Sequence, residues 1–141
     1  MKLGRLNHIG VATPSIADSV AYYREVMGAV KISEPFDMPE QGVKVCFVDT
    51  PNGGTQIELI EPLDASSPIH GFLEKNPQGG QHHVCFEVAD IDEAREWFEG
   101  LGNRILGPTR IGAHGTPIFF LHPKDMMGQL TEIMETPRGG H

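Results

Sequence analysis

Cysteine is scarce in this 141-residue chain: only Cys46 and Cys85 occur, each inside an apolar, strand-like run. Two thiols so placed read as packing residues and exclude a disulfide framework as the source of stability. Positive charge is also short. Eleven Lys and Arg stand against nineteen Asp and Glu, for a formal net charge of −8. That balance excludes a nucleic-acid partner, whose binding needs a basic face. Any phosphate-rich ligand must be held by local cations against the overall field. Long apolar runs are missing too: Gly, Pro or charge interrupts each well short of a membrane span, so no membrane partner is expected. The opening Met1-Lys2-Leu3-Gly4-Arg5 lacks the apolar stretch of a signal peptide and the Ser/Arg-rich look of a transit peptide. The expected location is the cytoplasm, or an organelle matrix if a targeting segment has been removed.

What remains is ordinary globular composition, 39% apolar and 21% charged, in a length that suits one domain over residues 1–141. Within it the sequence repeats itself. Asn7-His8-Ile9-Gly10-Val11-Ala12 leads into a helix opening, and so does His82-His83-Val84-Cys85-Phe86-Glu87-Val88. Ser15 with Asp18, and Asp90 with Glu93, have the spacing of a capping box. Ile16, Val20, Tyr23 and Met27 follow the first at helical spacing and stop at Gly28; Ile91, Ala94, Phe98 and Leu101 follow the second and stop at Gly102. Strands are expected at Val43 to Val48 and Thr55 to Ile60 in the first half. In the second they fall at Ile105, Ile118 to Leu121 and Leu130 to Met134. The simplest reading is two β-α-β-β-β modules, about 5–62 and about 81–135. A linker over about 63–80 joins them, with a short helix from His70 to Lys75. The tail from Thr136 to His141 reads as a frayed end.

The last strand of each half sets a carboxylate among apolar residues, Gln56-Ile57-Glu58-Leu59-Ile60 and Leu130-Thr131-Glu132-Ile133. Glu58 lies fifty residues after His8, and Glu132 forty-nine after His83. Strand alternation puts His8 with Gly10 and Ala12, opposite Ile9 and Val11, and sets Glu58 opposite Ile57 and Leu59. Singly, such a Glu is most often solvated and such a His most often a hydrogen-bonded core residue. The matched spacing shifts the balance, because solvation does not require it. Two buried carboxylates need a cation, and two imidazoles with two carboxylates suit a divalent first-row metal with coordination positions left open. The fold class expected is α+β: two tandem β-α-β-β-β modules whose curved mixed sheets enclose a metal-centred cavity.

The chain resembles the vicinal oxygen chelate superfamily, and within it the methylmalonyl-CoA epimerase family, over Leu6 to Glu135. The segments that carry the likeness are Leu6-Asn7-His8-Ile9-Gly10-Val11-Ala12, Pro39-Glu40-Gln41-Gly42-Val43 and Ser67-Pro68-Ile69-His70-Gly71-Phe72-Leu73-Glu74-Lys75-Asn76. Gly80-Gln81-His82-His83-Val84-Cys85, Ile111-Gly112-Ala113-His114-Gly115 and Leu121-His122-Pro123-Lys124-Asp125 complete it. The resemblance implies that His8, Glu58, His83 and Glu132 bind one divalent ion (cobalt, manganese, nickel or zinc), with His82 turned away. It implies metal-assisted proton transfer at carbon 2 of methylmalonyl-CoA, a small acyl-CoA substrate, interconverting its (R) and (S) forms through an enolate. The resemblance also implies a homodimer.

Proton removal on one face and return on the other require two groups. Some members of the family carry a carboxylate three residues after the Gly of Glu-Gln-Gly-Val and a Gln at the first-module strand ligand; here those positions hold Val45 and Glu58. By analogy with the related lactoylglutathione lyases, Glu58 and Glu132 are expected to form the acid/base pair. His114, Lys124 and Glu40 are further candidates for substrate contact. Lys75, Arg104 and Arg110 are candidates for the coenzyme's phosphates. Two rival readings share the fold: a lactoylglutathione lyase-like isomerase, and a non-catalytic ligand-binding member, which would need no inward His and Glu quartet.

Overall fold

The computed structural model describes residues 1–138; the end of the tail expected to fray, residues 139–141, lies outside the described residues. The chain divides into two compact units. One is His8–His82, and the other joins Met1–Asn7 to the chain from His83 onward. Both are of α+β type: the second runs β-α-β-β-β as the repeat predicts, and the first has one strand more after its helix and a short second helix.

In the first unit β1 (Leu6–Ala12), whose first two residues belong to the other unit, leads to α1 (Ile16–Glu25). Then come β2 (Lys31–Ile32), β3 (Phe36–Met38), β4 (Val43–Asp49), β5 (Gln56–Pro62) and the short α2 (His70–Lys75). The strands run in the order β2-β4-β5-β1, with β3 also on β4. β1 is parallel to β5, and β4 is antiparallel to β5. The second unit has β6 (Gly80–Val88, whose first three residues belong to the first unit), α3 (Ile91–Gly100), β7 (Ile105–Ile111), β8 (Pro117–Leu121) and β9 (Thr131–Glu135), ordered β6-β9-β8-β7. The strands β2 and β3 were not anticipated. Both are short: β2 has two residues, and the alternation Phe36-Asp37-Met38 in β3 spans only three.

Each helix starts where its capping residue is. The Ser15 hydroxyl accepts from the Asp18 N–H at 3.1 Å, and the Asp90 carboxylate from that of Glu93 at 3.0 Å, each worth about 1 kcal/mol to the helix. Each helix ends ahead of a glycine held in the left-handed region, Gly28 at φ 73° and Gly102 at φ 82°. The expected apolar stripes hold up to that point. Ile16, Ile91, Ala94 and Phe98 are buried, while Met27 and Leu101 are 62% and 63% exposed. Both stand beyond the last helical residue. The chain has left the 3.6-residue path there, so the spacing no longer carries these side chains to the sheet.

In each unit one face of the strands packs under that unit's own helix. In the first unit Ile16, Cys46, Val48 and Leu59 form the buried cluster, with Val11, Val20, Tyr23 and Ile57 against it. In the second, Val88, Ile91, Ala94, Phe98, Phe119, Leu121 and Ile133 do the same, and Phe98 meets Phe119 edge-on at 6.2 Å. The opposite face of the strands in each unit is therefore set apart for other side chains. Both cysteines are buried and neither is in a disulfide, as the apolar settings predict, but they divide between the faces. Cys46 joins the helix-side cluster, where burial pushes its thiol pKa up. Cys85 lies on the other face with Ile118 and Met134. Among the described residues no helix is long and apolar enough to cross a membrane.

Candidate metal centre

Strand register builds the same constellation twice. In the first unit Gly10 of β1 stands directly beside Glu58 of parallel β5. His8, two residues earlier, shares that face by alternation. In the second unit Cys85 of β6 stands beside Glu132 of β9, with His83 two residues earlier. On its other flank each carboxylate faces a phenylalanine across an antiparallel pair, Phe47 beside Glu58 and Phe120 beside Glu132. Each glutamate thus sits between a small or soft residue and an aromatic ring, and its histidine leans in diagonally. The His83 ring also stands edge-on to Phe120 at 5.5 Å.

The pairs are close and dry. His8 Nε2 lies 3.6 Å from Glu58 Oε2, and His83 Nε2 lies 3.1 Å from Glu132 Oε1. Exposure is 0% for His8, 6% for Glu58, 6% for His83 and 4% for Glu132. A carboxylate this buried is costly unless positive charge meets it. Each unit therefore presents one imidazole nitrogen and one carboxylate oxygen, the donors a divalent first-row ion takes. Two donors are too few for a stable site of the usual four to six ligands.

A second carboxylate in each module explains how the first is held. Glu61 follows Glu58 by three residues and Glu135 follows Glu132 by three, so each points to the helix face. Glu61 Oε1 accepts from the Ile16 N–H at 2.6 Å, and Glu135 Oε1 from the Ile91 N–H at 3.1 Å. Each last strand is thereby tied to the start of its own helix by a charge-assisted bond at the positive helix end. The spacing Glu-x-x-Glu in a strand, which must change faces, was the legible signal for this pairing and was overlooked. Glu87 was overlooked as well. It is 5% exposed in the row of His83 and Cys85, but Arg5 Nε at 3.0 Å and Asn7 Nδ2 at 2.8 Å donate to it. Its charge is met, so it is not needed as a metal donor.

The remaining candidates for substrate contact stand on loops and turns. His114 is half-buried in the loop joining β7 to β8. Glu40 is exposed on the turn Pro39–Gln41, and Lys124 is exposed on the turn Pro123–Asp125. His82 packs edge-on against Phe72 at 5.2 Å. Arg104 is committed elsewhere: its Nε and Nη2 donate to Asp125 at 3.0 Å each and its backbone N–H at 2.9 Å. It is therefore a poor cation for a phosphate. Those bonds, the side-chain one foremost, hold the Asp125 carboxyl at about 2, below its ordinary 3.8. A depressed carboxylate stabilises the fold above its unfolded value and loses that contribution as pH falls. Thermal midpoints measured from pH 6 to pH 2 should therefore drop between about 4 and about 2. Asp125→Asn should show a smaller drop over that window, and an equal drop would place the titration elsewhere.

The sequence profile of the glyoxalase/bleomycin resistance protein/dioxygenase superfamily matches residues 7–120. The chain belongs to that superfamily. Its relatives within the superfamily include the ethylmalonyl-CoA/methylmalonyl-CoA epimerase of Cereibacter sphaeroides, 50% identical over 93% of this chain and 97% of that protein. Two solved structures superpose over nearly the whole chain. The methylmalonyl-CoA epimerase from Mycobacterium tuberculosis has a TM-score of 0.85 at 30% identity, over 95% of this chain and 89% of that one. A variant of the Streptomyces coelicolor methylmalonyl-CoA epimerase in complex with 2-nitronate-propionyl-CoA has a TM-score of 0.84 at 35% identity, over 96% and 99%. The superfamily assignment agrees with the doubled module and with the doubled His–Glu register found in it.

Proposed function

We propose that the chain is a methylmalonyl-CoA epimerase, interconverting the (R) and (S) forms of methylmalonyl-CoA by proton transfer at carbon 2. The observation that carries this reading is a relative of that activity at 50% identity along nearly the full length of both chains. The relatives reported above favour it over a lactoylglutathione lyase-like isomerase and over a non-catalytic binder.

His8, Glu58, His83 and Glu132 would together hold one divalent ion per chain. The donor set supports this: each unit supplies a buried imidazole beside a buried carboxylate, and pooling the pairs makes four ligands from two incomplete sets. Cobalt, manganese, nickel and zinc all accept such ligands. When bound, the ion supplies positive charge that stabilises an enolate spread between the thioester and carboxylate groups of the substrate.

The chain's own groups move the proton. One of Glu58 and Glu132 accepts the carbon 2 proton from one face, and the other returns a proton to the opposite face. The reverse direction exchanges their roles, as interconversion of two epimers requires. Phe47 and Phe120 flank the two carboxylates. His114, Glu40 and Lys124 remain candidates for substrate contact, His114 first because it is the half-buried one. As part of the same proposal, the protein is a homodimer located in the cytoplasm or in an organelle matrix. The test supplies one purified epimer and couples the other to an enzyme that consumes it alone. Turnover above the uncatalysed rate supports the reading. Its absence with metal bound, together with lactoylglutathione lyase activity, would replace it.

A further inference from the structure

Two buried side-chain atoms among the described residues lack a hydrogen-bond partner, Gln41 Nε2 and Thr116 Oγ1. They stand at similar places in the repeat, just ahead of β4 and β8, the strands that flank the glutamate-bearing β5 and β9. Such an orphan costs roughly as much as a hydrogen bond contributes, so each needs an explanation.

Thr116 is the more informative of the two. Thr116 immediately precedes β8, and its pairing with Gly112 carries the β7–β8 ladder back one residue; alternation then puts it in one row with Ile118 and Phe120, and Phe120 stands beside Glu132. Thr116 therefore lies on the face that carries His83 and Glu132, four residues from Phe120, or about 13 Å along the strand. Its backbone is anchored, with the Gly112 N–H donating to the Thr116 carbonyl at 3.0 Å. The hydroxyl is not. The residue as a whole is only half-buried, and a change of χ1 exchanges the hydroxyl with the methyl between staggered wells. For a bonded threonine that rotation would break a hydrogen bond. Here there is none to break.

We infer that Thr116 is a positioning residue for the acyl-CoA substrate, its hydroxyl donating to an amide carbonyl of the pantetheine arm. The inference rests on the epimerase reading above. An arm leaving the reacting carbons along this face would carry its amide groups past the start of β8. A buried donor without a partner gains the whole of such a bond, because nothing inside the protein is given up.

Thr116→Val keeps the shape and removes the hydroxyl; Thr116→Ser keeps the hydroxyl. Each is compared with the parent on methylmalonyl-CoA and on the S-ethyl thioester of methylmalonate, which has the reacting carbons and no amide. With methylmalonyl-CoA, Thr116→Val should raise KM roughly three- to tenfold at unchanged kcat, and Thr116→Ser should restore KM to near the parent value. On the short thioester all three proteins should have equal kcat/KM. The Val protein should melt no lower than the parent, since an unbonded hydroxyl contributes nothing to the fold. An unchanged KM for Thr116→Val, or an equal penalty on both substrates, overturns the assignment. Parent protein inactive on both substrates would instead overturn the epimerase reading.

Discussion

Glu132→Gln is expected to lower interconversion of the methylmalonyl-CoA epimers by two to four orders of magnitude, roughly the usual contribution of a positioned acid or base. Glu58→Gln should do the same. Both carboxylates are buried, each beside its own histidine, and glutamine keeps an oxygen donor while losing the ability to take a proton. The more discriminating result lies in solvent exchange. A two-group mechanism predicts that each variant retains exchange of the carbon 2 proton for one epimer, the one facing the surviving carboxylate, and loses it for the other. The two variants should show opposite preferences. Loss of exchange for both epimers in either variant would mean that the altered glutamate serves only as a ligand. Full interconversion in Glu58→Gln would remove Glu58 from the acid/base pair and direct attention to the remaining polar groups of the site.

Removing the metal should have the second largest effect. Chelation is expected to abolish interconversion and to lower the thermal midpoint, because an ion bound only by the folded state stabilises it by about 3–4 kcal/mol at a hundred to a thousand times Kd. For a chain of this length that corresponds to roughly 6–16 °C. Restoring cobalt or manganese should recover both properties. Stoichiometry tests the pooling of the two pairs. One ion per chain is expected, and His8→Ala and His83→Ala should each lose that same ion. Two ions per chain, each lost with one histidine, would show that the pairs act separately.

The placement of the candidate ligands was legible because it is written twice. Single residues such as His8 or Glu132 carry little information alone, but His-to-Glu separations of fifty and forty-nine residues, each set in alternating strands, constrained both face and partner. The register confirms the logic, since Gly10 beside Glu58 and Cys85 beside Glu132 place the histidines two residues back in both units. What failed to be read had a different character. Met27 and Leu101 kept the helical spacing yet stand exposed, because a helix end is fixed by backbone geometry at Gly28 and Gly102 and not by apolar content. Glu61 and Glu135 were given no role, and that role depends on where the first N–H groups of α1 and α3 arrive. Arg104 looked like a free cation, and only folding brings Asp125 to it. Local pattern fixed the elements and their faces. Partners between distant residues needed the register.

The most direct test of the account places the metal-loaded protein with one epimer of methylmalonyl-CoA in deuterated water and follows the carbon 2 proton by NMR. The account predicts rapid loss of that signal, appearance of the other epimer, and suppression of both by a chelator. A carbon 2 proton that persists at the uncatalysed rate, with the ion confirmed at one per chain, would contradict it.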